Sequence, residues 1–373
     1  MNEKNLLYPE AVKKLKKDLE TATSEWAYLS SVGGGRPVEE FEDDFAKASG
    51  GKFCIAMTNA TSALYVALMA SDIGPGDEVI LPSYTWPQTL TPVILTGATP
   101  VFVDIEENTV TISVNSVRRL ITKKTRAIIA AHLFGIPADV VALEEIVKKE
   151  RIILIFDAAQ GFGAEVDGIQ VGAYGDFSAY SFGRSKLFSV GEGGALVCRK
   201  KSLYEKAIVF SQHPLRVHKI IENARLRASM DGISMNFRIH PLVASLASGQ
   251  LDGLVKSGFL SELRDRFKKI SEKVVASGSG ILPELPDGAR PSGVCLPILS
   301  ANVSNSGLKH KDSDIEIYEG GVPKPLHLTN TVRRHRIIST RVSIPAHKTH
   351  KESSCPNTER RCSLPQLFAK TTN

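Results

Sequence analysis

Two short stretches decide the fold of this chain: Phe156-Asp157-Ala158-Ala159-Gln160 and Ser181-Phe182-Gly183-Arg184-Ser185-Lys186. The first includes the end of the apolar run 151–156, whose β-branched residues are typical of a strand buried in a parallel sheet. The second closes a predicted strand over 176–182. Open α/β sheets bind ligands at the carboxyl ends of their strands, so an acid and an amine are both delivered to ligand-binding loops.

A third predicted strand, 193–198, follows the glycine-rich turn Gly191-Glu192-Gly193-Gly194. A lysine and an aspartate in these loops suit pyridoxal phosphate, because Lys186 would form a Schiff base while Asp157 holds the pyridine nitrogen protonated. Taken alone, Lys186 would be an ordinary surface lysine. The order of the motifs favours the catalytic interpretation, with Lys186 and Asp157 as the catalytic pair.

These motifs, in this order, resemble the DegT/DnrJ/EryC1/StrS family of pyridoxal phosphate-dependent sugar aminotransferases over roughly residues 30–260. The resemblance implies an α/β aminotransferase of fold type I, with a mostly parallel sheet flanked by helices. It also implies transfer of an amino group from glutamate or glutamine to a keto-sugar or keto-cyclitol. Some members carry histidine in place of this lysine and perform dehydration, so Lys186 implies transamination. The sequences around Tyr84–Trp86 and 185–187 lean slightly toward the aminocyclitol branch.

A predicted strand over 52–57 leads through Thr58-Asn-Ala-Thr-Ser62 into a helix predicted from Ala63. Free N–H groups at a helix N-terminus, together with the helix dipole, suit a phosphate group. An ordinary N-cap is the alternative, since threonine and serine are common there. The resemblance implies that Ala60 and Thr61 hold the cofactor phosphate, although the family often has glycine where Ala60 stands.

The resemblance gives four more residues a role at the cofactor. Trp86 would stack on the pyridine ring, Gln160 would hydrogen-bond the ring hydroxyl, and Ser181 would contact the phosphate. Asn236 would reach the cofactor phosphate of a neighbouring subunit, which implies a homodimer. Without the resemblance, Trp86 reads as a core or interface aromatic residue and Asn236 as a turn or helix-capping residue.

Several other segments leave their interpretation open. Gly33-Gly34-Gly35 lacks a dinucleotide-binding spacing and favours a flexible loop, which the resemblance would place near the substrate entrance. Residues 212–232 are either a solvated, mobile segment or a substrate-facing loop. His132 follows a predicted strand over 125–131 and is expected to be a hydrogen-bonded structural residue rather than an acid or base. Asp104 is expected to cap a strand end.

The domain prediction places a large cofactor-binding domain at 1–255 and a small C-terminal domain at 256–373. After about residue 290 basic clusters interrupt the apolar periodicity, and we expect an atypical, poorly ordered tail. One hypothesis is that a frame disruption altered a once ordinary cap. The tail motivates an alternative function: a non-catalytic pyridoxal phosphate-binding or interaction protein with a degraded cap.

The composition of the 373 residues excludes several classes of protein. No apolar run approaches 18 residues, and no apolar signal region follows the start, so a cytoplasmic protein without membrane contact is expected. The five cysteines form no CxxC pair, so neither a metal site nor a disulfide framework is predicted. The net charge of +6 equals the surplus of basic residues after residue 300, so nucleic acid is not an expected partner.

Overall fold

One seven-stranded sheet carries the loops in which the predicted site residues lie. The computed structural model describes residues 7–106, 108–228, 234–276, 281–299, 315–319, 326, 355–358 and 367–371. The strands of the main sheet are β1 (Phe53–Met57), β2 (Glu78–Pro82), β3 (Thr99–Val103), β4 (Thr125–Ala131), β5 (Ile153–Asp157), β8 (Phe177–Ser181) and β9 (Gly194–Cys198). Two short strands, β6 (Glu165–Val166) and β7 (Ile169–Gln170), lie between β5 and β8 in the chain and outside this sheet.

The strand order of the main sheet is β1-β9-β8-β5-β4-β2-β3. Every neighbouring pair from β8 to β3 is parallel, whereas β9 runs antiparallel to both β8 and β1. The connection from β8 to β9 contains no helix, so it returns the chain in the opposite direction instead of crossing over the sheet. The mostly parallel sheet predicted from the sequence is confirmed.

Helices cover both faces of the sheet. They are α1 (Pro9–Ser24), α2 (Arg36–Ser49), α3 (Ala60–Ala70), α4 (Pro87–Leu95), α5 (Val114–Leu120), α6 (Val140–Glu150), α7 (Lys201–Ser211), α8 (Pro214–Ile220), α9 (Ala224–Ala228), α10 (Pro241–Lys256) and α11 (Phe259–Ala276). Residues that alternate along each strand pack on α3, α4 and α7 on one face, and on α2, α6 and α10 on the other. This layered α/β architecture is the predicted fold class.

Most of the predicted element boundaries agree with the structure to within two residues, and β4 coincides with its prediction. Helix α1 ends at Ser24, and a 3₁₀ turn, Trp26–Leu29, follows. Helix α3 starts at Ala60, three residues before the predicted start. The reason is local: the side chain of Asn59 accepts a hydrogen bond from the N–H of Ser62 at 2.8 Å and so caps the first turn.

The described part of the segment 212–232, residues 212–228, contains α8 and α9, and the side chain of Arg216 within it is fully buried. The guanidinium of Arg216 donates to Glu42 and to Gln212, the latter at 2.8 Å. Glu42 also accepts the N–H of Ala56 at 2.8 Å, on the open edge of β1. This ion pair therefore ties α8 to α2 and to the strand that leads into the α3 turn.

Parts of the C-terminal region are described as well. Strands β10 (Ala289–Arg290) and β11 (Leu296–Ile298) follow α11, and β11 joins β12 (Ile315–Glu319) and β13 (Leu367–Thr371) in a sheet of order β11-β13-β12. Asp104 accepts the N–H groups of Asn357 and Thr358 at 2.8 and 2.7 Å. The predicted strand-end cap at Asp104 therefore also anchors residues 355–358. Of the tail expected to be atypical after about 290, the residues other than 290–299, 315–319, 326, 355–358 and 367–371 lie outside the described residues.

The buried ion pair predicts a large stability difference between two neighbouring glutamates of α2. Glu42→Ala leaves the Arg216 guanidinium buried without its counter-charge, which should lower the free energy of unfolding by about 3–5 kcal/mol. Glu39→Ala breaks an exposed pair with Lys219 and should cost less than about 1 kcal/mol. Urea unfolding measures both values, and equal costs for the two variants would contradict the assignment.

Candidate active site

A cavity of about 310 Å³ opens at the carboxyl ends of the parallel strands, which is a volume typical of small-molecule sites. Seven of the eight predicted site residues line it: Ala60, Thr61, Trp86, Asp157, Gln160, Ser181 and Lys186. Lys186 and Asp157 thus share one cavity, as a site for a single ligand requires. The eighth residue, Asn236, is not among the lining residues.

Asp157 is the last residue of β5, and protein donors hold both of its carboxylate oxygens. The hydroxyl of Thr89 donates to Oδ2 at 2.6 Å, and the N–H of Ala159 donates to Oδ1 at 3.1 Å. A carboxylate has about four lone-pair sites, so capacity for a further donor remains. A carboxylate with this spare capacity can accept a hydrogen bond from a protonated ring nitrogen.

Lys186 lies in the connection from β8 to β9, where its N–H donates to the carbonyl of Gly183 at 2.9 Å. Its side chain is half-buried. Burial lowers the pKa of the Lys186 amine below its ordinary value, and the nearby charge of Asp157 opposes part of that shift. A larger neutral fraction makes the amine a better nucleophile and a better proton acceptor near neutral pH.

The N-terminus of α3 forms a third wall of the cavity. The N–H of Ser62 bonds to the side chain of Asn59 and the N–H of Ala63 to its carbonyl, which leaves the first N–H groups, on Ala60 and Thr61, without acceptors inside the helix. The backbone of Gly194 packs directly on this turn, because a Cβ there would lie 2.7 Å from the nitrogen of Ala60. Two N–H groups at a positive helix end fit an anionic group.

Gln160 and His132 form the wall next to Asp157. The Nδ1 of His132 accepts the N–H of Ala138 at 3.1 Å, so the neutral ring carries its proton on Nε2. The ring stacks on Phe156 with centroids 4.6 Å apart, and burial lowers the pKa of His132 to about 3. The Oε1 of Gln160 accepts a hydrogen bond from the N–H of Phe134 at 2.7 Å. The amide nitrogen of Gln160 then points away from Phe134 and can act as a donor.

Trp86 and Ser181 occupy the positions that the sequence suggested. Trp86 precedes α4 after the end of β2, and its side chain remains 38% exposed although it lines the cavity. A flat side chain that is still open to the cavity can stack on a planar ligand. Ser181 ends β8, where its hydroxyl accepts the N–H of Gly183 at 3.4 Å.

Asn236 lies outside the cavity but close to its rim. It is exposed, and its backbone has a positive φ of 52°, a conformation that asparagine tolerates better than most residues. Two residues later Arg238 forms a bridge to Met57, the last residue of β1 before the α3 turn. Asn236 therefore lies two residues from a bridge to the strand that leads into the α3 turn, and its role stays a prediction.

Sequence reasoning missed two hydroxyl residues, Thr85 and Thr89. Both are buried, and their hydroxyls lie 3.0 Å apart. Their spacing of four residues, at the entrance of a predicted helix, was the available signal, because residues i and i+4 share a helix face. The contact of Thr89 with Asp157 has no such local signal.

The residues present fit pyridoxal phosphate. A carboxylate with spare acceptor capacity, a half-buried amine, an open indole face and a helix N-terminus meet in one cavity. The carboxylate suits the pyridine nitrogen, and the amine suits the carbonyl carbon. The indole suits the flat ring, and the helix N-terminus suits the phosphate. Among the residues that the structure describes, no group of three histidine, cysteine or acidic side chains converges as a metal site would.

The sheet order, the helices on both faces and the cavity at the strand ends define an aminotransferase of fold type I. This chain belongs to the DegT/DnrJ/EryC1/StrS aminotransferase family, whose model matches residues 14–361. The match extends well beyond the 30–260 expected from the motifs. The predicted family, the fold type and, at the level of the family, the pyridoxal phosphate-dependent class are confirmed.

Among the relatives is the GDP-perosamine synthase of Escherichia coli O157:H7, which is 35% identical over 238 residues, or 63% of each chain. The chain matches only about three fifths of the length of the first curated relatives. A solved structure of DesV from S. venezuelae with a ketimine intermediate is 26% identical, with a TM-score of 0.72 over 96% of this chain and 89% of that one. A 3-amino-5-hydroxybenzoic acid synthase is 25% identical, with a TM-score of 0.76 over 97% and 91%.

The buried neutral state of His132 predicts an acid-sensitive stability. The unfolded chain binds a proton here below about pH 6.5, whereas the folded chain does so only near pH 3. Stability should therefore fall as the pH decreases between these values, by up to about 1.4 kcal/mol per pH unit from this residue. Unfolding curves of wild type and His132→Asn between pH 6.5 and 4 measure the slope.

The variant should show the shallower slope, since asparagine does not titrate. The exposed His218 supplies the matched control: His218→Asn should keep most of the wild-type slope. If His132→Asn and wild type lose stability in parallel, the buried neutral histidine is not the cause.

Proposed function

We propose that this chain is a pyridoxal phosphate-dependent aminotransferase that moves an amino group from glutamate or glutamine to a keto-sugar or keto-cyclitol. The observation that carries the proposal is the shared cavity of Lys186 and Asp157, with Trp86 on its rim. An amine and an acid in one cavity can act on opposite ends of one pyridine ring. The family match over 14–361 supports the same activity.

Two residues perform the chemistry in this proposal. Pyridoxal phosphate, when bound, supplies a carbonyl carbon that takes an amine and a ring that accepts the electron pair of the substrate carbon. Asp157 keeps the ring nitrogen protonated through a charge-assisted hydrogen bond worth about 1.5–3 kcal/mol. Lys186 would hold the cofactor through its amine and would move a proton at the substrate carbon, a positioned proton transfer that typically raises a rate ~10²–10⁴-fold.

The remaining site residues hold and orient the cofactor. The N–H groups of Ala60 and Thr61 and the hydroxyl of Ser181 receive the phosphate, and the amide of Gln160 donates to the ring hydroxyl. Asn236 contributes from a second subunit, so the active unit is a homodimer. The exposed side chain of Asn236, two residues before the bridge from Arg238 to Met57, supports this assignment.

The relatives support the acceptor class. The first curated relatives are named GDP-perosamine synthase, and the 3-amino-5-hydroxybenzoic acid synthase shares the fold at 25% identity. These names support an acceptor whose carbonyl group lies on a ring. We propose that it is either a nucleotide-linked keto-sugar or a keto-cyclitol. The slight aminocyclitol leaning of the sequence stays a prediction.

The domain division also stays a proposal: a large domain at 1–255 and a small one at 256–373. A separate apolar cluster of Ile270, Val274, Leu296 and Ile298 supports it. We propose a cytoplasmic location as well, because the four described cysteines are free thiols, which suits a reducing compartment. In the described part of the chain, no helix combines the length and apolar content of a membrane span.

Two contacts of the C-terminal region argue against the degraded-cap alternative. Residues 357–358 bond to Asp104, and the N–H of Leu326 donates to the carbonyl of Ser83 at 3.0 Å. Both partners lie at the carboxyl ends of strands, beside the cavity. These contacts fix residues 326, 357 and 358 to the ends of strands of the main sheet.

Lys186→Ala tests the proposal directly. Wild type mixed with pyridoxal phosphate should gain an absorbance band near the visible edge that borohydride abolishes. The variant should not, because the described residues that line the cavity include no other lysine. Lys123→Ala removes an exposed loop lysine and should behave as wild type. A band that survives in Lys186→Ala would contradict the assignment, and a band without amino transfer to any keto-sugar would favour the non-catalytic alternative.

The lowered pKa of Lys186 predicts how cofactor uptake depends on pH. Only the neutral amine attacks a carbonyl, so the rate of band formation should rise with pH. The midpoint of this rise should lie below a pH of about 10.4, at which a free lysine is half neutral. Stopped-flow mixing of apoprotein and pyridoxal phosphate at several pH values measures the midpoint. A midpoint at or above that of a free lysine would show that burial does not activate this amine.

A further inference from the structure

Two buried threonine hydroxyls stand behind Asp157 and have no part in the proposed chemistry so far. Thr89 Oγ1 lies 2.6 Å from Asp157 Oδ2, and Thr85 Oγ1 lies 3.0 Å from Thr89 Oγ1. Thr89 is 0% exposed and Thr85 1% exposed. Such hydroxyls are costly to bury without partners, so their arrangement is specific.

The direction of the hydrogen bonds follows from the charge of Asp157. An ionised carboxylate only accepts, so the hydroxyl of Thr89 donates to Oδ2. The oxygen of Thr89 then accepts, and the hydroxyl of Thr85 is its donor. Each hydrogen bond in such a chain polarises the next, which strengthens the bond to the carboxylate.

We propose that Thr89, supported by Thr85, is a positioning residue that holds the Asp157 carboxylate turned toward the ring nitrogen of the cofactor. The inference rests on the proposed function. The N–H of Ala159 fixes the other oxygen, so the carboxylate is held from both sides and cannot rotate without breaking a bond. The remaining lone pairs then face the cavity.

The other titratable groups that line the cavity are Lys186 and His132. His132 is neutral above its pKa of about 3. The direct hydrogen bonds to the carboxylate come from the hydroxyl of Thr89 and the N–H of Ala159.

Thr89→Val tests the proposal, because valine keeps the volume of threonine and removes the hydroxyl. We expect kcat to fall about 10- to 100-fold, the loss of one charge-assisted hydrogen bond, with KM for the amino donor changed less than about threefold. Without that bond the carboxylate is held less firmly beside the ring, so the pH titration of the cofactor band should be displaced from that of wild type.

Thr89→Ser should restore kcat to within about threefold of wild type, and Thr85→Val should show a smaller loss of about three- to tenfold. Thr91→Val is the matched control, since it removes an exposed hydroxyl from the same helix and should leave kcat and the pH profile unchanged. Thermal melts show whether each variant folds. If Thr89→Val does not fold, the single variants Thr85→Val and Thr89→Ser test the proposal.

If Thr89→Val and Thr91→Val both match wild type, or if serine restores nothing, the positioning role is overturned while the proposed function stands. Wild type that takes up no cofactor would instead overturn the proposed function and this inference with it.

Discussion

The parallel pairing of β5 between β4 and β8 is the constraint on which the site depends. It sets Asp157 opposite Ala131 on one side and Ala179 on the other. Beyond the strand end the pairing continues, since the N–H of His132 donates to the carbonyl of Asp157 at 3.0 Å. A slip of one residue would turn every side chain of β5 to the opposite face, so the buried faces of the sheet also fix the direction of the carboxylate.

Few titratable groups line the cavity among the residues that the structure describes. One carboxylate and one amine face it, and the third titratable group, His132, is kept neutral by burial against Phe156. A protonated histidine at this point would compete with a ring nitrogen for the charge of Asp157. The burial of His132 lowers the stability of the protein in acid, but it also keeps a second positive charge away from Asp157.

The edge strand β1 and the C-terminal region are secured by polar contacts from distant parts of the chain. Glu42 accepts a hydrogen bond from the open edge of β1 and forms an ion pair with Arg216. The strand β1 leads into the turn that carries Ala60 and Thr61. Asp104 likewise accepts hydrogen bonds from within residues 355–358. Each contact fixes one side of the cavity to an element that the sheet alone does not order.

The sequence by itself determined the alternation of strands and helices, the fold class and seven residues of one cavity. Apolar periodicity and turn residues are local, and parallel strands bring their carboxyl ends to one edge, so Asp157 and Lys186 had to meet there. Only the tertiary structure decided that Thr89 bonds to Asp157, 68 residues away, that Arg216 is buried against Glu42, 174 residues away, and that Asn236 stands outside the cavity. Contacts of this kind depend on how helices pack on the two faces of the sheet, and no local spacing in the sequence encodes that packing.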